Sequence, residues 1–247
     1  VQPGKTVRLR IINGSAMSGF FVSTGNLPGQ LIAVDGEDIH PINGKQFQIS
    51  EAQRLDILVT IPDKKAGVYP ILAQGQGTNL QTGLILATPE VKDIPAIPEK
   101  TNQTAGALDY SQEWQLKAMY PLMPKPVDET LRINLEGDMA KYEWKMNNQM
   151  WPNVTPLTIN KDKRVEVIIN NQTNMAHPIH LHGHVFEVTE MDGKPVLDGA
   201  MRDTVFVMPH STVKVQFDSD NPGKWVIHCH MLYHQEAGMM TEIDYAK

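Results

Sequence analysis

The chain has 247 residues, 41% of them hydrophobic, with a formal net charge of −6 at pH 7. That length suits one large domain or two of about 120 residues each. The acidic balance argues against a nucleic-acid partner, which needs a basic face, no apolar run of about 18 residues is available for a membrane span, and a single cysteine excludes an internal disulfide framework.

The chain opens with Val1-Gln-Pro-Gly-Lys-Thr-Val7, a turn leading into a strand and not a signal peptide, which predicts further sequence upstream. Short alternating runs rich in β-branched residues then predict strands at 6–12, 30–34, 47–50, 54–61, 68–73 and 83–88. Three prolines with a few charges between residues 89 and 104 read as an interdomain linker. Strand character resumes at 114–119 and 129–135, continues at 157–159, 164–170, 185–189, 204–207, 213–217 and 224–228, and closes at 240–245. Strands at this spacing, with turn residues between them and no amphipathic helix of three turns, predict an all-β chain of two sandwiches, residues 1–105 (with the linker from about 89) and 106–247.

The two halves also repeat each other. A shift of 158 lays Lys5, Val7, Ile11, Ser15, Met17 and Gly25 on Lys163, Val165, Ile169, Thr173, Met175 and Gly183. A shift of 156 lays residues 67–73 on 223–229. The strand framework matches but the chemistry does not: Gly19, Val22 and Thr24 fall near His177, His180 and His182, and Ala73 falls on Cys229.

The second half concentrates soft ligands. Seven of the nine histidines and the only cysteine lie in two short segments, 177–184 and 228–234. A zinc site would also use Cys and His, but it would leave the paired His-x-His elements idle. Two imidazoles, a thiolate and a weak axial Met form the blue-copper arrangement, which His177, Cys229, His234 and Met239 can supply. On a strand, His180-Leu-His182 would turn both rings to one side, and His228 and His230 would face away from Cys229. Cys229 would then bind one metal while its neighbours reach a second centre behind it. His184, His40 and His210 read as structural or surface histidines. Met119, Met123, Met139, Met146 and Met150 read as gap-filling core, with Cu(I) capture as the alternative. Asp198, Asp203 and Glu236 are candidates to orient a ligand or relay protons, with a structural Arg202–Asp203 ion pair as the alternative for Asp203.

His177-Pro-Ile-His-Leu-His-Gly183 together with His228-Cys-His-Met-Leu-Tyr-His-Gln-Glu-Ala-Gly-Met239 resembles the C-terminal copper signature of the laccase-like multicopper oxidases. The first half is similar to that family's copper-free middle cupredoxin domain and the second to its final, blue-copper domain. Gly137-Asp-Met-Ala-Lys-Tyr-Glu-Trp-Lys-Met146 and the ending Leu232-Tyr-His-Gln-Glu-Ala-Gly-Met-Met240 look most like the periplasmic copper-resistance members.

The resemblance implies two cupredoxin-like Greek-key sandwiches. It implies a type 1 copper on His177, Cys229, His234 and Met239, type 2 copper on His180, and a type 3 pair on His182, His228 and His230. Cys229, His228 and His230 would carry electrons from a small donor (Cu(I), Fe(II) or a phenol) to dioxygen, in a periplasmic or secreted enzyme holding four coppers. The family builds its three-copper cluster from eight histidines, and this chain offers four; the rest are expected on an N-terminal cupredoxin domain, on a missing segment or a separate chain. A blue-copper electron carrier without oxidase activity is the alternative. A two-domain oxidase or nitrite reductase would need histidines in the first half, which has only His40.

Overall fold

The computed structural model describes residues 1–246; Lys247, where the second predicted domain ends, lies outside them. The chain divides into two compact units at Leu116/Lys117.

The first unit contains β1 (Thr6–Ile12), β2 (Phe20–Ser23), β3 (Gly29–Val34), β4 (Glu37–Gly44), β5 (Gln46–Ile49), β6 (Arg54–Thr60), β7 (Val68–Gly75) and β8 (Gln81–Ala87). They form two four-stranded sheets, ordered β1-β6-β3-β4 and β5-β2-β7-β8. In β6 every second residue, Leu55, Ile57 and Val59, is buried. That period of two gives the strand one core face and one solvated face. Residues beyond β8 are tied back to this unit: Gln81 N donates to Glu99 O, Thr101 N to Asn79 O, and the Gln48 side chain bonds Asp109 and Ser111.

The second unit holds β9 (Glu129–Asp138), β10 (Glu143–Met146), β11 (Leu157–Ile159), β12 (Arg164–Asn171), β13 (His177–Leu181), β14 (Phe186–Met191), β15 (Lys194–Pro195), β16 (Met201–Arg202), β17 (Thr204–Val207), β18 (Thr212–Asp218), β19 (Lys224–Cys229), the one-turn helix α1 (Leu232–Glu236) and β20 (Met240–Tyr245). One sheet runs β10-β9-β12-β18-β14-β15, with β16 beside β14, and the other β11-β20-β19-β13-β17. The path β12-β18-β14-β15 repeats β1-β6-β3-β4, and β17-β13-β19-β20 repeats β5-β2-β7-β8. The internal repeat in sequence is therefore a repeat in strand order, to which the second unit adds β9, β10, β11 and β16.

The repeat extends to one buried side chain. Asn13 Oδ1 accepts from the Ser15 backbone N–H at 3.0 Å and from the Ser15 hydroxyl at 2.7 Å. Asn171 Oδ1 accepts from the same two groups of Thr173, each at 2.9 Å. Asx turns of this kind shape the exit from a strand without a backbone partner.

Two expectations differ from the structure. Residues 114–119 are not a strand: Glu113–Gln115 is a 3-10 turn, and beyond it Lys117 makes one isolated bridge to Gly199. Leu116 and Ala118 are both buried, which produces the alternating pattern, but no neighbouring strand offers a ladder. Strands β2, β4, β10, β13, β15 and β16 are not among the predicted runs; β4 and β10 are edge strands, and β4 is polar and carries Pro41, which an edge tolerates.

Asn171 also donates through Nδ2 to the carbonyls of Met175 (2.7 Å), Met208 (2.9 Å) and Val207 (3.2 Å). Asn171→Ala would leave buried groups unpaired, at a cost of roughly 2–4 kcal/mol. A denaturant midpoint lowered at constant slope is the expected result; an unchanged midpoint would contradict this role.

Candidate metal centre

The site is built where β13 pairs with β19, with Ile179 opposite Cys229 and His180 opposite His228. The pleat sends alternate side chains of β19 to opposite faces. Cys229, at the end of β19, is fully buried, as are His177 at the start of β13 and His234 on α1. Cys229 Sγ lies 3.6 Å from His177 Nδ1 and 3.8 Å from His234 Nδ1, and the two nitrogens are 3.2 Å apart. The point in their plane equidistant from these three atoms lies about 2.1 Å from each, close to metal–nitrogen bonds of about 2.0–2.1 Å and metal–sulfur bonds of about 2.3 Å. The donor set fits one soft transition metal.

Local structure fixes each donor. The segment from Cys229 to Met239 closes on itself: Cys229 N donates to Met239 O and Met239 N to His234 O, each at 3.0 Å. Gly238 permits the closure at φ +115°, and a Cβ there would stand 2.8 Å from the Trp144 carbonyl. Met239 is fully buried, next to the cysteine through this backbone bond. His177 Nε2 meets the Thr173 hydroxyl at 2.8 Å, and that hydroxyl donates to Asn171 Oδ1. His177 therefore carries its proton on Nε2 and turns the Nδ1 lone pair toward Cys229.

Trp144, on β10, stacks on His234 with ring centroids 3.8 Å apart and 24° between planes, and meets His177 edge-on at 5.3 Å. Its cross-strand partner is Gly137, where a Cβ would stand 2.1 Å from the indole. Only glycine leaves room for the ring at that position.

A second cluster lies behind the cysteine. His180, His182 and His228 hold their ligand nitrogens within 4.8 Å of one another, and His182 Nε2 is 3.1 Å from His228 Nε2. The His230 ring stands 5.5 Å from that of His228 and 5.9 Å from that of His180. His228 Nδ1 donates to Cys229 O at 3.0 Å and His180 Nδ1 to Asp203 O at 3.0 Å. Both rings therefore present Nε2 lone pairs. Asp203 Oδ1 is also 3.3 Å from His180 Nδ1. This cluster has an open side, since His182 is exposed and His180 partly so, whereas the first is sealed.

Burial sets the protonation states. The His177 pKa is pushed down to about 3 by burial and then by repulsion from His234. His234 and His228 are each lowered to about 4, chiefly by burial. His182 is lowered by burial and by neighbouring His180 and His230. All are neutral at pH 7, the state that binds metal.

The remaining candidates separate clearly. His184 is buried and bonds the Tyr245 hydroxyl at 2.7 Å; His40 is exposed, and His210 bonds Asn174 at the surface. Of the five methionines expected to fill core, Met146 is buried and Met150 half-buried, but Met119, Met123 and Met139 are exposed. Thr173 and Trp144 escaped the sequence reading as site residues. For Thr173 the repeat with Ser15 held a signal; for Trp144 only Gly137 seven residues upstream did.

Two multicopper oxidase family models match the chain, over residues 1–90 and 124–247. It is 34% identical over 246 residues to the multicopper oxidase MmcO of Mycobacterium tuberculosis, covering 99% of this chain and 47% of that protein. It is 28% identical to the iron transport multicopper oxidase fio1 of Schizosaccharomyces pombe (98% and 46% covered), and 22% identical to copper resistance protein A of Escherichia coli (98% and 56%). Among solved structures, Fet3p, a multicopper oxidase that functions in iron import, superposes with a TM-score of 0.84 at 21% identity, covering 99% of this chain and 56% of that one. The chain spans about half the length of the curated relatives it matches.

Two predictions follow from the sealed cluster. Thr173→Val, which removes the partner of His177 Nε2, should weaken copper binding about 10–100-fold in chelator competition; unaltered affinity would contradict the orienting role. In the metal-free chain, the folded state keeps His177 and His234 neutral down to about pH 3–4, whereas unfolded histidines take up protons near 6.5. Stability from this pair is complete above about pH 6.5 and lost as pH falls toward 4. The denaturant midpoint of metal-free protein should fall across that window, more steeply than in His234→Gln; identical slopes would contradict the assignment.

Proposed function

The chain belongs to the multicopper oxidase family, and on that footing we propose that it serves an oxidase coupling one-electron oxidation of a small donor to the reduction of dioxygen to water. The observation that carries this reading is the double duty of one strand end. Cys229 Sγ joins His177 and His234, while the adjacent His228 meets His182 in the second cluster. A protein that only carries electrons has no use for that second cluster.

His177, Cys229 and His234 would hold the type 1 copper, with the buried Met239 as a further, weak ligand. His180 would serve the type 2 copper, and His182, His228 and His230 the type 3 pair. Copper in these positions supplies one-electron acceptance at the sealed site and four-electron reduction of dioxygen at the open one. The protein's own part is positional. Cys229 and its two flanking histidines give electrons a route of a few covalent bonds, shortened by the His228 Nδ1–Cys229 O hydrogen bond. Burial keeps the imidazoles neutral and excludes water from the thiolate. The Met239 thioether keeps the potential of the sealed site modest, which favours easily oxidised donors: Cu(I), Fe(II) or electron-rich phenols. The exposed flank of the second cluster suits completion by histidines of a further N-terminal cupredoxin domain. The proposed location is periplasmic or secreted; among the described residues, no helix is long and apolar enough to cross a membrane.

Cys229→Ser tests the reading directly. The variant should lose the intense blue absorption of the copper-loaded protein and, in the complete enzyme, donor-driven oxygen uptake. Blue colour surviving in the variant would overturn the ligand assignment.

A further inference from the structure

Both imidazoles of the sealed cluster are fully buried, so a donor in solvent reaches neither ligand edge. Two aromatic rings stand beside His234. Trp144, itself buried, stacks on His234 at 3.8 Å. Tyr142 meets Trp144 edge-to-face at 6.2 Å and 88°, stands 6.4 Å from the His234 ring, and is 40% exposed. The three rings form a continuous path from ligand to surface.

The backbone adds an independent observation. Tyr142 sits at φ +54°, in the left-handed region that bulky residues rarely enter. Asn, Asp or Gly would satisfy this turn without strain, so turn geometry alone does not account for a tyrosine. On the inner side, Gly137 leaves the space that Trp144 occupies. Both ends of the path are thus specified by residues whose local preference points elsewhere.

We propose that Tyr142 and Trp144 are the electron-entry relay of this site: a donor gives up its electron at the exposed ring of Tyr142, and coupling through Trp144 delivers it to His234. The inference rests on the copper assignment made above and goes beyond it by locating the entry face. Balance is simple. A hydroquinone donor loses one electron and releases its proton to bulk water, and the cupric ion of the sealed site gains the electron and becomes cuprous. Neither Tyr142 nor Trp144 changes its own oxidation state over the step, since both act as coupling media.

The test uses the copper-loaded chain under anaerobic conditions, with hydroquinone as the probe and bleaching of the blue absorption as the rate. Tyr142→Asn removes the ring while suiting the left-handed backbone, so folding is not at issue. Reduction should slow by roughly tenfold or more, with the reduction potential and copper content at parent values. Trp144→Leu should slow it similarly after correction for any potential shift, and Trp144→Phe should restore most of the rate. Proton NMR of the cupric protein should show hyperfine-shifted indole signals that disappear in Trp144→Phe. Unchanged reduction by Tyr142→Asn at unchanged potential, or the absence of hyperfine shifts on Trp144, overturns the relay and leaves the copper assignment standing. A parent chain that binds no blue copper overturns both.

Discussion

The two-residue period of a β-strand is the constraint on which this molecule depends. At the end of β19 it turns Cys229 to one side and His228 to the other, so a single stretch of backbone serves two clusters of different character. One is sealed, with donors spaced for a single soft metal. The other is open on one flank and equipped with four histidines. No side chain could bridge the two centres as closely as adjacent residues of one strand do. The sheet pairing of β19 with β13 fixes both sets at once, since a one-residue slip in register would exchange them.

Around that constraint the rest of the second unit acts as support. Asn171 shapes the turn after β12, Thr173 takes its place in that turn, and its hydroxyl sets the tautomer of His177. The first unit preserves the same turn with Asn13 and Ser15, although glycine, valine and alanine stand near the ligand positions. The turn is thus a device of the fold, and the metal chemistry is an addition to it. Trp144 supports from the opposite side. Its stack on His234 holds the imidazole where the cysteine can share a metal with it, and Gly137 makes the stack possible.

Much of this was legible in the chain. Strands such as Leu157–Ile159, Thr204–Val207 and Met240–Tyr245 stand at the residues predicted, because short runs of β-branched and apolar residues between turn residues are a local signal. The His-x-His and His-Cys-His spacings carried the two-cluster geometry for the same reason. What remained hidden was set by contacts distant in sequence. Trp144 reaches His234 across ninety residues by way of a four-residue edge strand. Residues 114–119 carried the pattern of a strand but met no partner to form a ladder. The exposure of Met123 and Met139 depends on which surfaces other strands happen to cover, and composition does not encode that.

The central claim is that Cys229 and two buried imidazoles hold one copper while the neighbours of Cys229 serve another centre. Copper-edge X-ray absorption on the chain loaded with a single equivalent of copper tests it most directly. The account predicts one short sulfur scatterer together with two imidazole nitrogens, because Cys229, His177 and His234 are already gathered within this chain. A first shell of nitrogen and oxygen alone, with no short sulfur, would contradict it.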